Sequence, residues 1–206
     1  MTANAIGLKY AVELAGERLR ISYRVTNGSE RRIFLTTPLV QIDDDAITPA
    51  PGRAYAYLDP DGILHITRRV WSVPDDTDIY LPEVPRLTEV HPGVSFEDRF
   101  DCAAPVEVHY PYRFAGEEEP ATAPEVLTAE AYGVAFSIGY LMEGAGSGGR
   151  SGDEDGFSPP ATTREKRAEE GGLVVSYAIA TAHQKLLQGA VVAMRVGVQD
   201  VNRQES

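Results

Sequence analysis

The residues with the types and spacing for chemistry are few, and most fail on context. Gly144-Ala145-Gly146-Ser147-Gly148-Gly149 satisfies the G-x-G-x-x-G pattern and follows a predicted strand. A dinucleotide site also needs a helix starting at those glycines, so that its N-terminal N–H groups meet the pyrophosphate. Arg150 to Pro160, RSGDEDGFSPP, cannot form that helix. Ser147 in Ala145-x-Ser147-x-Gly149 falls short of a nucleophile elbow for the same reason, since no strand–turn–helix surrounds it. The single cysteine, Cys102, invites pairing with His91 or His109. It falls on the apolar face of a strand, where a small buried hydrophobe is the ordinary role. His65, His91, His109 and His183 show no metal-ligand spacing, and the expectation is no cofactor. Asp43-Asp44-Asp45, Asp75-Asp76 with Asp78, and Asp153-Glu154-Asp155 offer oxygens of the kind calcium takes, without the alternation of a calcium loop.

Aromatic side chains on irregular segments remain. Trp71, Tyr80, Tyr110, Tyr112 and Phe114 lie in or beside proline-rich stretches. Aromatics on loops suit binding, because they bury large area at low entropic cost. They also plug the ends of sheet sandwiches. These five are the candidate partner-binding residues.

Composition narrows the partner. The chain has 206 residues, a hydrophobic fraction of 43% and a formal net charge of −12. The acids are spread along the chain and no basic block stands ready for phosphates, which argues against nucleic acid. Anionic lipid would repel such a surface, and no apolar run approaches spanning length. One cysteine permits no internal disulfide, and the start of the chain enters a strand without a leader-like apolar run. The expectation is an acidic cytoplasmic protein. The abundance of Ala, Gly, Arg and Asp suits a GC-rich bacterium.

The elements that would position these residues are strands. In Gly7 to Val25, GLKYAVELAGERLRISYRV, apolar residues alternate with polar ones on both sides of Gly16-Glu17. A two-residue turn with glycine first sets Tyr10 opposite Tyr23 and Val12 opposite Ile21, with all the apolar residues on one face. After Asn27-Gly28-Ser29 the next strand, Arg32 to Leu35, is expected to cross to another sheet. Leu39 to Ile42 is a short strand, and Asp43 to Gly52 reads as a loop. A second hairpin is expected from Ala54–Leu58 and Ile63–Thr67 around Asp59-Pro60-Asp61-Gly62. A four-residue loop there pairs Tyr57 with Leu64. Trp71 to Arg86 carries three prolines and reads as irregular chain. Leu87 to Val90 and Val94 to Cys102 are strands about His91-Pro92-Gly93. Asp98 falls among the apolar residues of the latter, where only a strand twisting out at an edge accommodates it. Val106 to Tyr110 is a short strand, and Pro111 to Ala129 a connection. Tyr132 to Met142 alternates large apolar residues with Gly133, Ala135, Ser137 and Gly139, small residues over which something must pack closely. Glu143 to Gly172 is poor in apolar residues and reads as a disordered insertion whose flanking strands pair directly. Gly172 to Thr181 and Ala190 to Val198 read as the last strands, with a turn of helix within Ala182 to Gln188.

About ten strands at irregular spacing imply an all-β fold, an antiparallel sandwich forming one domain over 1–206 with the flexible insertion at 143–172. Leu19 to Ser29, LRISYRVTNGS, resembles the strand-then-turn opening of bacterial immunoglobulin-like domains. Leu87 to Phe100, LTEVHPGVSFEDRF, is similar to their later strand–Pro-Gly–strand element. The layout resembles that of the intracellular proteinase inhibitor family of bacilli. The resemblance implies an immunoglobulin-like β-sandwich with long loops and transfers no functional residue. The functional expectation is a non-enzymatic interaction module for a protein partner. The alternatives are self-association into a homo-oligomer, or a calcium-dependent binder or hydrolase built on loop carboxylates.

Overall fold

The computed structural model of the chain describes residues 6–43, 46–71, 86–108, 127–144, 173–174 and 184–200. Among them every regular element is a strand: β1 (Ile6–Ala15), β2 (Arg18–Asn27), β3 (Ile33–Leu35), β4 (Leu39–Asp43), β5 (Ala46–Ala50), β6 (Tyr55–Leu58), β7 (Ile63–Arg68), β8 (Arg86–Val90), β9 (Ser95–Ala103), β10 (Val106–Val108), β11 (Leu127–Met142), β12 (Leu173–Val174), β13 (Lys185–Gln188) and β14 (Val192–Asp200). They form a three-stranded sheet in the order β1-β2-β9 and a nine-stranded sheet in which β10-β14-β11-β3-β8-β12 are successive neighbours. In the latter, β13 and β7 also pair with β11, and β6 pairs with β7. Among the described residues β4 and β5 pair only with each other. Neither large sheet closes on itself. Two pairings, β7 with β11 and β10 with β14, are parallel, where the sequence pattern implied antiparallel pairing throughout.

The β1–β2 hairpin has the register its alternation dictates. Tyr10 lies opposite Tyr23, Val12 opposite Ile21 and Leu14 opposite Leu19, with Gly16 at φ +62° in the turn. β2 is the middle strand, and Leu19, Ile21, Tyr23 and Val25 are buried against the large sheet. Each such side chain contributes roughly 2 kcal/mol by leaving water. β1 is an edge, so its matching residues are only half-buried and Leu14 is exposed. β3 crosses to the large sheet as expected. Asn27 organises the crossing: its carboxamide donates to the carbonyls of Arg31 (2.8 Å) and Val90 (2.9 Å) and accepts from the Ser29 N–H.

The spine of the large sheet is β11. Along one side run β14 and then β13, and along the other β7 and then β3. Ala131, Val134, Phe136, Ile138 and Tyr140 enter the core cluster. A register shift between Ala131 and Gly133 turns Tyr132 outward, although alternation alone places it on the core face. The small residues on the other face are covered from within the chain. A Cβ at Gly133 would stand 2.6 Å from Val191 and 3.0 Å from Ile63. At Gly139 it would overlap the Gln184 carboxamide and stand 2.7 Å from the Thr36 hydroxyl. Gln184 is held there because its carboxamide bonds both the N–H and the C=O of Val70, at 2.9 Å each.

Four further expectations are corrected. Ala46–Ala50 is a strand, its Pro49 tolerated because among the described residues β5 has a neighbour on one side only. Lys185–Gln188 is a strand on β11, not a helical turn. Among the described residues the segments that flank the predicted insertion are not neighbours: of the later one only Leu173–Val174 is described, and this β12 pairs with β8, with β8 and β3 between it and β11. Of the disordered insertion expected over 143–172, Glu143 and Gly144 are described, Glu143 bonding Arg32 through its N–H (2.9 Å) and its carboxylate, and 145–172 lies outside the described residues. Lastly, Asp98 is no edge irregularity. It meets Arg68, a fully buried guanidinium from the other sheet, at 2.8 Å. Arg68 also donates to the Tyr23 hydroxyl (3.2 Å), the Thr37 hydroxyl (3.0 Å) and the Pro51 carbonyl, and lies 3.8 Å from the centroid of the Phe100 ring. This charged pair ties the two sheets through the core.

Candidate functional site

The site begins at the β6–β7 turn. The Gly62 N–H donates to the Asp59 carbonyl and the Asp59 N–H to the Ile63 carbonyl, each at 3.0 Å. Gly62 has φ +78°. The loop is therefore three residues long and closes on a left-handed glycine, a common three-residue hairpin. The four-residue reading is wrong by one, and one residue flips every side chain. Tyr57 pairs with His65 and Tyr55 with Thr67, while Ala56, Leu58, Leu64 and Ile66 take the core face. Gly62 has a second reason to lack a side chain, since a Cβ would meet the Tyr132 ring at 2.8 Å.

The flip builds a continuous ladder on the opposite face of the hairpin, where Tyr57 is half-buried and Tyr55 fully buried. His65 and Tyr57 stack with centroids 4.7 Å apart and planes at 4°. The Asp59 carboxylate accepts from His65 Nε2 and from the Ile63 N–H, each at 2.8 Å. Burial works to raise the Asp59 pKa, but these bonds outweigh it and hold the carboxyl below its usual range. Trp71 sits edge-on to Tyr57 (5.8 Å, 82°) and to Tyr55 (6.2 Å, 89°). The Arg69 guanidinium lies 3.7 Å from the centroid of the Trp71 ring, a cation–π contact. Burial pulls the Arg69 pKa down, with Tyr57 acting against it. Its buried Nε has no hydrogen-bond partner, and it forms no ion pair among the described residues.

Of the five aromatic candidates, Trp71 is in this site. Tyr80, Tyr110, Tyr112 and Phe114 lie outside the described residues. Arg69, His65, Tyr57 and Asp59 were missed; for His65, Tyr57 and Asp59 the signal was Gly62, whose place at the third loop position is compatible with the three-residue closure. His65 makes no hydrogen bond to a serine, threonine or cysteine among the described residues. Cys102 is half-buried, and burial pushes its thiol up to about 11, so at neutral pH it is not a thiolate nucleophile. Among the described residues no group of three or more His, Cys, Asp or Glu converges on a metal position, and no helix is long and apolar enough to cross a membrane. Comparison with models of protein families, with curated proteins and with solved structures finds no match for this chain.

Proposed function

We propose that this chain is a non-enzymatic protein-interaction module of immunoglobulin-like β-sandwich build, acting in the cytoplasm and docking its partner on the face around Trp71. The observation behind this reading is the Arg69–Trp71 contact, flanked by the half-buried Tyr57, with the Trp71 ring edge-on to Tyr55, which is itself buried and supports the face rather than presenting on it. Trp, Tyr and Arg are the residues that dominate binding energy at protein interfaces, where they fill the desolvated centre. Here Tyr57 on β6 stands beside Arg69 and Trp71, which follow directly on β7. Arg69 is already partly stripped of water and has donors to spare, so meeting a carbonyl or carboxylate of a partner costs it little further desolvation.

Quantitative capture tests this reading. Immobilised wild-type chain and the Trp71→Ala and Arg69→Ala variants are exposed to extract from the cells that make the protein. The expected result is a discrete set of proteins retained by the wild type and reduced about tenfold or more by either substitution. Equal retention by all three chains, with the variants folded by circular dichroism, would remove the Trp71 face as the docking surface.

A further inference from the structure

The outward face of the three-stranded sheet has a charge opposite in sign to that of the molecule. The registers place Lys9, Arg24 and Glu97 in one row, Ala11, Ser22 and Arg99 in the next, Glu13, Arg20 and Asp101 in the third, and Ala15, Arg18 and Ala103 in the fourth. These rows hold five cations against three carboxylates, on a chain of net charge −12. Three of the cations are engaged. Arg20 forks onto Asp101 at 2.9 and 3.3 Å, Arg18 reaches the same carboxylate at 3.9 Å, and Arg24 pairs with Glu97. Lys9 and Arg99 form no ion pair among the described residues. Between them Ala11 and Ser22 carry no long side chain, and a hollow of about 570 Å³ opens there to solvent, lined by Lys9, Arg24 and Arg99 and also by Glu97 and Asp98, the first paired with Arg24 and the second with Arg68.

We propose that this hollow docks a short acidic segment of a protein partner, with a carboxylate held between Lys9 and Arg99 and the Ser22 hydroxyl available to donate. A planar carboxylate matches the guanidinium fork. The screening length at physiological salt is about 8 Å, so a ligand on this face responds to the local cations rather than to the distant acids. The face is shallow, which suits an extended segment better than a small molecule needing walls. A long polyanion such as nucleic acid would run off the four rows onto an acidic surface and be repelled. The surface shares no residue with the Trp71 face and lies on the other sheet, so the two readings stand or fall separately.

The probe is a fluorescein-labelled hexaglutamate peptide, titrated with the full chain and followed by anisotropy at low and at physiological salt. Saturable binding is expected, weaker at the higher salt, and reduced about tenfold or more in the Lys9→Glu/Arg99→Glu double variant. The melting temperature of that variant should match the wild type, because both side chains are on the exposed face. Arg195→Glu, an exposed charge change elsewhere, should leave binding as it was. The proposal is overturned by absence of saturable binding or by equal binding to the double variant. It is also overturned if duplex DNA or phosphatidylserine vesicles displace the label better than unlabelled peptide does. Sedimentation that shows a dimer of the wild type dissociated by the double substitution would assign the face to a second copy instead.

Discussion

At the scale of single residues, Arg68 and Gly62 have the most to lose. Arg68 has no exposed surface and its charge is balanced by Asp98, whose side chain is 33% exposed. Removing one partner of a buried pair leaves the other charge uncompensated, a loss of about 3–5 kcal/mol when both are dry. Asp98→Ala should therefore fall near the lower end, about 3 kcal/mol, read from urea midpoints. Replacing both, as Arg68→Met with Asp98→Leu, should cost less than Asp98→Ala alone, since no lone charge is left behind. A double variant worse than the single would mean that the pair contributes more than mutual neutralisation. At Gly62 two penalties coincide, a left-handed φ and the Tyr132 ring. Gly62→Ala should cost about 1–3 kcal/mol, and pairing it with Tyr132→Ala should recover only the steric part. Gly16→Ala, at similar φ with open space around it, should cost about 1 kcal/mol. Thermal melts of the four chains order these effects.

At the scale of elements, strand register decides what faces where. In β2, Tyr23 packs on Phe136 (4.8 Å between centroids), Phe96 and Phe100, whereas Arg24 points outward beside Glu97. Tyr23→Asp should cost several kcal/mol, and Arg24→Asp about 1 kcal/mol or less; chemical denaturation distinguishes them. At the end of β11 the Glu143 carboxylate meets Arg32, the residue before β3, and Arg32 also reaches Glu89 on β8 at 2.8 Å. Hydrogen bonding from Arg32, stronger than the opposing effect of burial, holds Glu143 below its ordinary 4.5. A depressed carboxylate stabilises fully above its unfolded value and loses that contribution as the pH falls through the folded one. Wild type should therefore lose stability more steeply than Glu143→Gln between pH 5 and the acid limit, the two curves converging there. Parallel curves would mean that the contact adds nothing. The first hairpin was legible from sequence because glycine followed by one more residue fixes a two-residue turn. The second was not, because Asp-Pro-Asp-Gly suits a four-residue loop as well as a three-residue one. The slip placed Tyr57 on the core face and hid its stacking with His65, and with it the ladder that Arg69 and Trp71 complete. Asp98 was illegible for another reason. Its partner lies 30 residues away on the other sheet, and alternation within one strand carries no trace of it.

At the scale of the molecule, two unclosed sheets share one core and turn dissimilar faces outward. One presents stacked aromatics with a half-buried arginine, the other an open hollow lined by three cations and two carboxylates. Trp71 is the only tryptophan in the chain, so its environment can be followed without interference. Of the candidate site, the sequence singled out Trp71 alone among the described residues. The remaining members of the site came from topology, which sets β6 beside β7 and β7 beside β11. The central claim is that the Trp71 face is a protein-docking surface. A photo-crosslinking phenylalanine derivative in place of Tyr57, beside Trp71, tests it most directly, with the same derivative at Val94, an exposed residue ahead of β9, as the comparison. Irradiation in the native cells should give a discrete protein adduct from position 57, absent from position 94 and abolished by adding Trp71→Ala. No adduct from position 57, or the same adducts from both positions, would contradict the account.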